Sequence, residues 1–444
     1  MSIRPLVRLA LLGLVASALP AVAAAQQDTT AKADTTLRRS ATVLDPIVVT
    51  AERRPTPASD VTAPVIVVDS AALARRAAPD VTTVLADVPG LQPEAVVGSG
   101  SGIYLQGLGS DRVLVLLDGV PMAGRLNGEF DLSRISPADL VRIEIVEGPQ
   151  STLYGSTALG GVVNLITSRE VLPRAQFAST MGSFGQRDYE ARLGTSVGGF
   201  VATLEGDHRA VDALPGANPG TLGSAERWDF MGRVAGAVGS TAVDARLMTI
   251  DEHQTYTIAP DHLTSTNLQY DGLVKLAFGA EGRTELRLHG SWYDHRFVDA
   301  TDSAGTQPPS FDRERIADAE LVQHGALGAS DWVAGAKLDR EWLLSDRVSG
   351  YARAASTGAL YASVDWALSP ALHVTTGARL TESQVWGADF SPRVGAALRL
   401  PAGVYLKAEV AHGFRAPSFD EQYLQLVQAQ FGYAVYGNPS LRPE

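Results

Sequence analysis

The sequence predicts a mixed α/β domain followed by an antiparallel transmembrane β-barrel, and three features support this fold class. An apolar leader directs the chain out of the cytoplasm. Residues 61 to 170 mix helical and strand patterns, and residues 171 to 444 repeat segments of about ten residues in which apolar and charged side chains alternate. Beyond the leader there is no long uninterrupted apolar run, so any membrane crossing is expected to use strands.

Residues 1 to 25 have the layout of a signal peptide. Arg4 and Arg8 precede an apolar run, and Ala23 and Ala25 fit a small-residue cleavage site. A membrane anchor is the alternative, but the apolar run is shorter than the roughly 20 residues that a spanning helix needs. The absence of cysteine excludes a disulfide scaffold and a thiolate metal site.

A flexible amino-terminal segment is predicted for residues 26 to 60, because its first part is polar and poor in large apolar residues. Residues 45 to 51, Asp-Pro-Ile-Val-Val-Thr-Ala, contain a short β-branched run that Arg-Arg-Pro-Thr-Pro ends. A tethered, unpaired strand of this kind suits β-augmentation, in which a partner adds its own strand through main-chain hydrogen bonds. A plain linker is the alternative.

The stretch from 61 to 170 has the pattern of a compact mixed domain. Residues 113 to 117 are apolar on both faces, as in a strand covered on both sides, and Asp118-Gly119 is a hairpin turn. Residues 140 to 147 alternate apolar and polar side chains, which predicts a further strand. One helical face, ended by a Pro-Gly pair, is predicted from Val81, Val84, Leu85 and Val88.

The remaining residues, 171 to 444, are predicted to form the barrel. The segments 241–248, 284–292 and 404–410 place apolar residues at alternate positions, mostly with charged residues between them. Such strands fit a barrel whose outer face meets lipid and whose lumen is wet. A soluble β-sandwich also has alternating strands, but these are usually only about five or six residues long.

Several long motifs in this order resemble one known family. GIYLQGLGSDRVLVLLDGVP and LVRIEIVEGPQSTLYGSTALGGVVNLIT are similar to the plug domain of TonB-dependent outer-membrane receptors, and DPIVVTA is similar to the TonB box that precedes it. Residues 413 to 423 and 437 to 444 resemble a motif pair in the barrel of the same family. The resemblance implies a plug inside a barrel of about 22 strands, in the outer membrane of a Gram-negative-type bacterium.

The resemblance also implies a partner, a ligand and energy-coupled uptake. The ligand is a bulky scarce nutrient, a ferric siderophore or cobalamin, and TonB pulls on the box to open the plug. The periplasmic domain of TonB would pair with Asp45, Pro46, Ile47, Val48, Val49, Thr50 and Ala51. The ligand, a small-molecule metal chelate, would meet the glycine-rich plug apices at Val97, Gly98, Ser99, Gly100, Ser101, Arg125, Leu126 and Asn127.

Two departures from the family pattern affect these expectations. Gln106 stands where the family usually has arginine, so anchoring of the plug is expected to use Arg112, Arg142 and Glu144 instead. Roughly a dozen strand-like segments follow residue 170, fewer than a barrel of about 22 strands needs. We therefore expect carboxyl-terminal strands to be missing, as in a fragment or a truncated product; a complete smaller barrel is the alternative.

Other classes of function are disfavoured. The chain has no G-x-S-x-G, H-E-x-x-H or P-loop motif, so no catalytic residue, enzyme activity or cofactor is predicted. Its net charge of −12 argues against nucleic acid. No metal site is predicted, although the acidic stretch 298–315 leaves calcium open against a solvated loop. A passive porin or an adhesion protein remains as the alternative to a monomeric receptor embedded in outer-membrane lipids.

Overall fold

The structure is a computed structural model. It describes residues 48–50, 52–76, 78, 80–96, 100–126, 129–168, 175–212, 221–258, 261–299, 309–428 and 433–444. The predicted signal peptide lies outside the described residues. So do Asp45, Pro46, Ile47, Ala51, Val97, Gly98, Ser99 and Asn127.

The amino-terminal domain is a mixed α/β unit built on a five-stranded sheet. The sheet has the order β3-β10-β11-β6-β7, in which β6 and β11 are parallel and the other pairs are antiparallel. The elements of this domain, in chain order, are β1 (Val48–Val49), β2 (Thr56–Pro57), β3 (Val65–Asp69), α1 (Ser70–Arg76), α2 (Val81–Leu85), β4 (Leu91–Val96), β5 (Gly100–Leu105), β6 (Val113–Leu117), β7 (Val120–Pro121), β8 (Arg125–Leu126), β9 (Glu129–Phe130), β10 (Leu140–Glu147), α3 (Ser151–Tyr154) and β11 (Gly161–Thr167).

Strand β6 lies between β11 and β7 in this sheet. All five of its residues are buried, as predicted from its doubly apolar pattern, and it continues through the turn at Asp118 and Gly119 into β7. Helix α2 begins at the N-cap Asp80, whose carboxylate accepts a hydrogen bond from the Thr83 amide at 2.8 Å. The predicted helical face is confirmed, since Val81, Val84, Leu85 and Val88 are all buried in the core.

The second part of the chain is one antiparallel sheet of thirteen strands among the described residues, and each strand pairs with the next. This confirms the predicted fold class. The strands are β12 (Ala175–Met181), β13 (Arg187–Val197), β14 (Phe200–Val211), β15 (Thr221–Val238), β16 (Thr241–Ile258), β17 (Asp261–Phe278), β18 (Thr284–Asp299), β19 (Ser310–Leu327), β20 (Ser330–Ser345), β21 (Ala352–Ser369), β22 (Leu372–Ser383), β23 (Gly387–Arg399) and β24 (Tyr405–Ala411). The short elements α4 (Phe419–Tyr423), β25 (Gln425–Gln428) and β26 (Tyr433–Tyr436) follow.

The two ends of the sheet differ in the length of their connections. At one end the strands join through short turns at 198–199, 239–240 and 328–329, and we call this the short-turn end. At the other end the connections include 212–220 and 300–309, and we call this the long-loop end. Positions along the barrel wall are described relative to these two ends.

The barrel wall wraps around the amino-terminal domain and has two chemically different faces. Inward residues such as Arg246 and His289 are buried, whereas outward Leu338 and Val410 have 70% and 75% of their surface exposed. Met231, Met248 and Ile250 reach inward and join the core cluster of the amino-terminal domain. No helix within the described residues is long and apolar enough to cross a membrane.

We expect the outward face to tolerate small apolar residues and to reject charge. Leu360 lies outward near the middle of β21 and is 63% exposed. Leu360→Arg should destabilise the chain in a bilayer by about 2–4 kcal/mol, since a charge near the bilayer midplane must be desolvated. The measurement is the free energy of folding into phospholipid vesicles, from a denaturant titration. Leu360→Ala is the matched control, and an equal loss in both variants would contradict an outer face in contact with lipid.

Candidate functional site

The described part of the predicted TonB box, Val48 to Thr50, and the residues after it are folded against the rest of the chain. Val48–Val49 pairs antiparallel with Thr56–Pro57, so this part of the predicted unpaired strand is paired in the structure. The chain reverses because Arg53 adopts a φ of 61° and its amide donates to the Thr50 carbonyl at 3.0 Å. The residues Arg-Arg-Pro-Thr-Pro, which end the strand, therefore also turn the chain back onto it.

Thr50 attaches this segment to the central sheet. Its amide and its hydroxyl both donate to Glu144 Oε2, at 2.9 and 2.8 Å. The Asn164 side-chain amide donates to Thr50 Oγ1 at 3.2 Å, and the Tyr154 hydroxyl donates to the Thr50 carbonyl at 3.4 Å. Glu144 is fully buried and also accepts from Arg142 Nε at 2.7 Å. The buried carboxylate thus holds the last described residue of the predicted box.

Charged residues directly after the box attach the segment to the barrel wall. Arg54 forms ion pairs with Asp331 on β20 at 3.1 Å and with Asp365 on β21 at 2.8 Å. Glu52 is buried and pairs with Arg393 on β23. In the sequence, Arg54 is recognisable only as part of the end of a strand. The partners of Glu52 and Arg54 lie roughly 300 positions away in the chain, so no local pattern identifies them.

Arg53 is buried between the plug-like domain and the wall. Its guanidinium pairs with Glu320 on β19 at 3.0 Å and lies 4.4 Å from the centroid of the Tyr154 ring. It also donates to the carbonyls of Gly119 and Leu153, each at 3.4 Å. Burial raises the pKa of Tyr154 to about 12 despite the nearby cation, so the ring stays neutral beneath Arg53.

The Asp118 carboxylate connects the amino-terminal domain to strands β15 and β16. It accepts from the Thr167 amide at 3.0 Å and from the Thr167 hydroxyl at 2.7 Å. Arg246 donates to it at 2.8 Å, and Arg233 lies 3.5 Å away. Lys275 donates to the Asp118 carbonyl at 2.8 Å. Three cations from three wall strands therefore meet one hairpin turn.

These cations lower the pKa of the Asp118 carboxyl group. Burial alone would raise the pKa of Asp118, but Arg246, Lys275 and Arg233, together with the Thr167 hydrogen bond, hold that pKa well below its usual range. Asp118 is ionised at neutral pH and its charge is neutralised by the wall.

The ion pairs continue along the inner face of the wall. Arg246 also pairs with Asp271, and Asp271 Oδ2 lies 3.0 Å from His289 Nε2. His289 Nδ1 lies 2.6 Å from Asp318 Oδ2. Each ring nitrogen of His289 therefore faces a carboxylate oxygen. His289 lies buried on the inner face of the wall.

The predicted ligand-binding apices lie on two hairpins that Asp131 connects. The Asp131 carboxylate accepts from the Ser101 amide at 2.8 Å. The amides of Gly124 and Arg125 donate to Glu314 on β19, at 2.7 and 2.9 Å, near the long-loop end. Gly100 begins β5 and Leu126 ends β8, whereas Val97, Gly98, Ser99 and Asn127 lie outside the described residues.

The residues predicted to anchor the plug have different partners from those expected. Arg142 and Glu144 pair with each other at 2.7 Å inside the amino-terminal domain. Arg112 pairs with Asp111 at 2.7 Å and with Glu444 at 3.0 Å, which joins it to the carboxyl-terminal motif. Residues whose side chains contact the wall strands include Glu52, Arg53, Arg54, Asp118, Arg134 and Gln150.

Two cavities lie between the amino-terminal domain and the wall. The long-loop cavity, about 230 Å³, is lined by Glu314, Glu341, Arg379 and Trp386 among others. The short-turn cavity, about 700 Å³, is lined by Ala242, Ala277 and His324 among others. Both are bounded by Arg53, Gly119 and Tyr154, which therefore form a partition between them.

The described residues contain no group of three or more His, Asp or Glu side chains that would hold a metal ion. Asp312, which lies in the acidic stretch discussed for calcium, pairs with Arg347 at 2.5 Å and with His295 at 3.5 Å. Residues 300 to 308 of that stretch lie outside the described residues. The charged side chains at this site are held by ion pairs and buried hydrogen bonds among the described residues.

Two family profiles match the chain. Residues 57–162 match the TonB-dependent receptor plug domain, and residues 154–444 match the β-barrel of TonB-dependent receptor-like proteins. The chain therefore belongs to the TonB-dependent receptors, which are receptors and transporters and not enzymes. We refer to its amino-terminal domain as the plug from here on.

Solved structures of low sequence identity have a similar fold. The siderophore receptor PirA from Pseudomonas aeruginosa is 20% identical with a TM-score of 0.67, over 85% of this chain and 69% of that protein. PirA from Acinetobacter baumannii is 16% identical with a TM-score of 0.70, over 87% and 67%. The copper transporter OprC is 16% identical with a TM-score of 0.67, over 81% and 66%. At these identities the likeness is one of fold.

Replacing Asp118 should destabilise the docked plug in a pH-dependent way. Asp118→Asn should lower the free energy of unfolding by about 3 kcal/mol at neutral pH, because buried guanidinium groups lose a charged partner. The folded-state pKa is depressed, so the wild-type carboxylate stabilises the fold above its unfolded pKa of about 4, and this contribution is lost as the pH falls below that value.

Denaturant titrations from neutral pH to below about pH 4 measure this difference. The difference between the two proteins should shrink as the pH falls below about 4. Asp87→Asn is the matched control, since Asp87 is a 72% exposed carboxylate on the same domain and its loss should change little. A constant difference between the wild type and Asp118→Asn at all pH values would contradict the ion-pair account.

Proposed function

We propose that this chain takes up a ferric siderophore across the outer membrane, with TonB pulling on residues 45 to 51. The observation that carries the proposal is the position of Thr50 to Arg54. This short segment includes the end of the box and contacts the central sheet of the plug, the partition between the cavities and the wall strands. A force applied to the box therefore acts on all three.

The choice of ligand rests on the similar structures and on the charges of the long-loop cavity. Two of the similar structures are siderophore receptors by name, and a third is a copper transporter. Arg379 lines the cavity and is 3% exposed, and its Nη1 has no hydrogen-bond partner among the described residues. A buried guanidinium with a free N–H suits an anionic oxygen ligand, as a siderophore offers. Cobalamin and a copper chelate are the alternatives.

The position of the plug apices supports entry of the ligand from the long-loop end. Arg125 lies on a hairpin near the long-loop end, lines the long-loop cavity, and is fixed through its amide by Glu314. We assign Arg125 and Ser101, with the neighbouring apex residues 97 to 100, 126 and 127, to the first contact with ligand. The ligand then enters the long-loop cavity, which ends at Arg53 and Tyr154.

The partition supplies the coupling step. Arg53 follows Thr50 by three residues, so displacement of the box draws the guanidinium away from Tyr154 and Glu320. With Arg53 withdrawn, the long-loop and short-turn cavities join alongside the plug. Breaking this buried ion pair is costly, which keeps the passage closed without TonB.

Uptake tests the proposal directly. Cells that lack their own receptor and produce this chain should accumulate iron from a ferric catecholate siderophore when TonB is present and not when it is deleted. Val49→Pro should abolish uptake but retain surface binding of the siderophore, since proline removes an N–H from the strand that TonB would pair with. Val49→Thr keeps the β-branched strand and is the matched control.

Parallel assays with cobalamin and with copper distinguish the ligands. Uptake of cobalamin alone would replace the siderophore in this proposal, and uptake of copper alone would assign the chain to copper. Equal accumulation with and without TonB would point to a passive pore.

The partition predicts a labelling pattern. The chain has no cysteine, so single cysteines can be placed at Ala277 in the short-turn cavity and at Thr357 in the long-loop cavity. A membrane-impermeant maleimide added to intact cells without TonB should label Thr357→Cys readily and Ala277→Cys slowly. Adding Arg53→Ala should speed labelling of Ala277→Cys, because the two cavities then join.

Arg54→Ala is the matched control for this experiment. It removes two ion pairs at the same end of the barrel. Of the two cavities, however, Arg54 lines only the short-turn cavity. Equal acceleration in both variants would mean general loosening of the plug. Tyr154→Ala, which removes the other half of the partition, should reproduce the effect of Arg53→Ala.

A further inference from the structure

Four arginines form a continuous stripe on the outer face of strands β18, β19 and β20. Asp294 pairs in register with Arg313, and Trp292 with Arg315, while Arg296 is the next outward residue along β18. Arg315 pairs with Trp342 on β20, so Arg340 is its diagonal neighbour. Each arginine is thus one diagonal or one i, i+2 step from the next, at a spacing of about 7 Å. The stripe is Arg296, Arg313, Arg315 and Arg340.

The stripe is exposed and carries excess positive charge. Arg296 and Arg313 are 59% and 38% exposed at their side chains, and Arg315 and Arg340 are also exposed. The Asp294 carboxylate lies beside them, 3.9 Å from Arg296 and 3.3 Å from Arg313. Arg315 and Arg340 have no carboxylate partner in the described part of the chain. On a protein of net charge −12, such a concentration of arginine marks a place that attracts anions.

The surroundings place the stripe at the edge of the apolar band. Leu288 and Leu338, both strongly exposed, flank Ala319 in register and lie towards the short-turn end. Trp292 is 45% exposed beside the stripe, and the Arg340 guanidinium lies 5.3 Å from the Trp342 ring. Aromatic rings mark the boundary between hydrocarbon and headgroups in membrane barrels. The arginines therefore meet the headgroup layer on the long-loop side.

We propose that this stripe binds the phosphorylated headgroup of a lipid in the leaflet on the long-loop side. Guanidinium groups bind phosphate oxygens through paired N–H donors, and Arg315 and Arg340 have such donors free of carboxylates. The acyl chains of the same lipid would lie along Leu338 and Leu288. This site requires only that these strands span the membrane, and it holds whatever the chain transports.

Native mass spectrometry of the detergent-solubilised chain tests the site. Titration with phosphatidic acid, whose headgroup is a phosphomonoester, should give a bound lipid that phosphatidylcholine does not replace. The variant Arg315→Ser/Arg340→Ser should bind phosphatidic acid about thirtyfold more weakly, since each basic residue near an anionic headgroup contributes about fivefold. Inorganic phosphate should not displace the lipid, because the apolar contacts hold only a lipid.

Arg399→Ser is the matched control, because Arg399 is an exposed arginine at the short-turn end of β23 and its loss changes the net charge in the same sense. Its binding of phosphatidic acid should equal that of the wild type. Equal weakening in Arg399→Ser, equal binding of the two lipids, or displacement by inorganic phosphate would overturn the proposal. Heat-modifiable electrophoretic mobility shows whether the double variant folds. If it does not, the two single variants replace it, and each should bind phosphatidic acid about fivefold more weakly than the wild type.

Discussion

The structure depends on neutralising charge at the surface where the plug meets the wall. An ion that leaves water for a protein interior is costly unless a partner of opposite charge and additional hydrogen bonds replace the lost hydration. Asp118 meets Arg246 and Arg233, Arg53 meets Glu320, and Glu52 meets Arg393. Arg246 and Arg233 also pair with wall carboxylates, Asp271 and Asp244, whereas the plug groups Asp118, Arg53 and Glu52 find their ion-pair partners on the wall. The two parts are therefore complementary in charge as well as in shape.

This complementarity explains how a large domain stays docked in a barrel and can still be moved. Replacing paired charges with apolar side chains of the same volume often keeps or increases stability, so buried ion pairs are not the strongest means of holding two surfaces together. They are specific, because a displaced plug would leave several charges without partners. They are also compatible with water, since a hydrated interface can solvate each ion as its pair separates. A dry apolar interface would offer no such intermediate.

Much of the fold could be predicted from the sequence because it depends on the local periodicity of apolar side chains along each helix and strand. The doubly apolar strand at 113–117, the helical face around Val84 and the alternation around Leu288 and His289 all appear in the structure with the predicted burial. Periodicity reports which side of an element faces inward. It carries no information about which inward charge meets which.

The partners in the site could not be predicted for that reason. Arg142 has the appearance of an anchor because it alternates with apolar residues in a plug strand, yet it pairs with its neighbour Glu144. Arg53 has the appearance of a strand terminator, yet it is buried beneath a wall carboxylate. Both outcomes depend on contacts between residues far apart in the chain. The resemblance of the motifs to a family located the box and the plug, and the distances in the structure identify the contacts that follow the box.

The order of attachment along residues 50 to 54 has a mechanical consequence. Thr50, Glu52, Arg53 and Arg54 are each bonded to a different group, and these groups lie on the plug sheet and on strands β19, β20, β21 and β23. A tension that enters from the amino-terminal side reaches these bonds one after another, so the segment peels from its support and each rupture needs only the work of one contact. The cations around Asp118 converge on a single turn and would share a load simultaneously. The same class of interaction therefore breaks one bond at a time at the edge of the plug, whereas at its centre the bonds must break together.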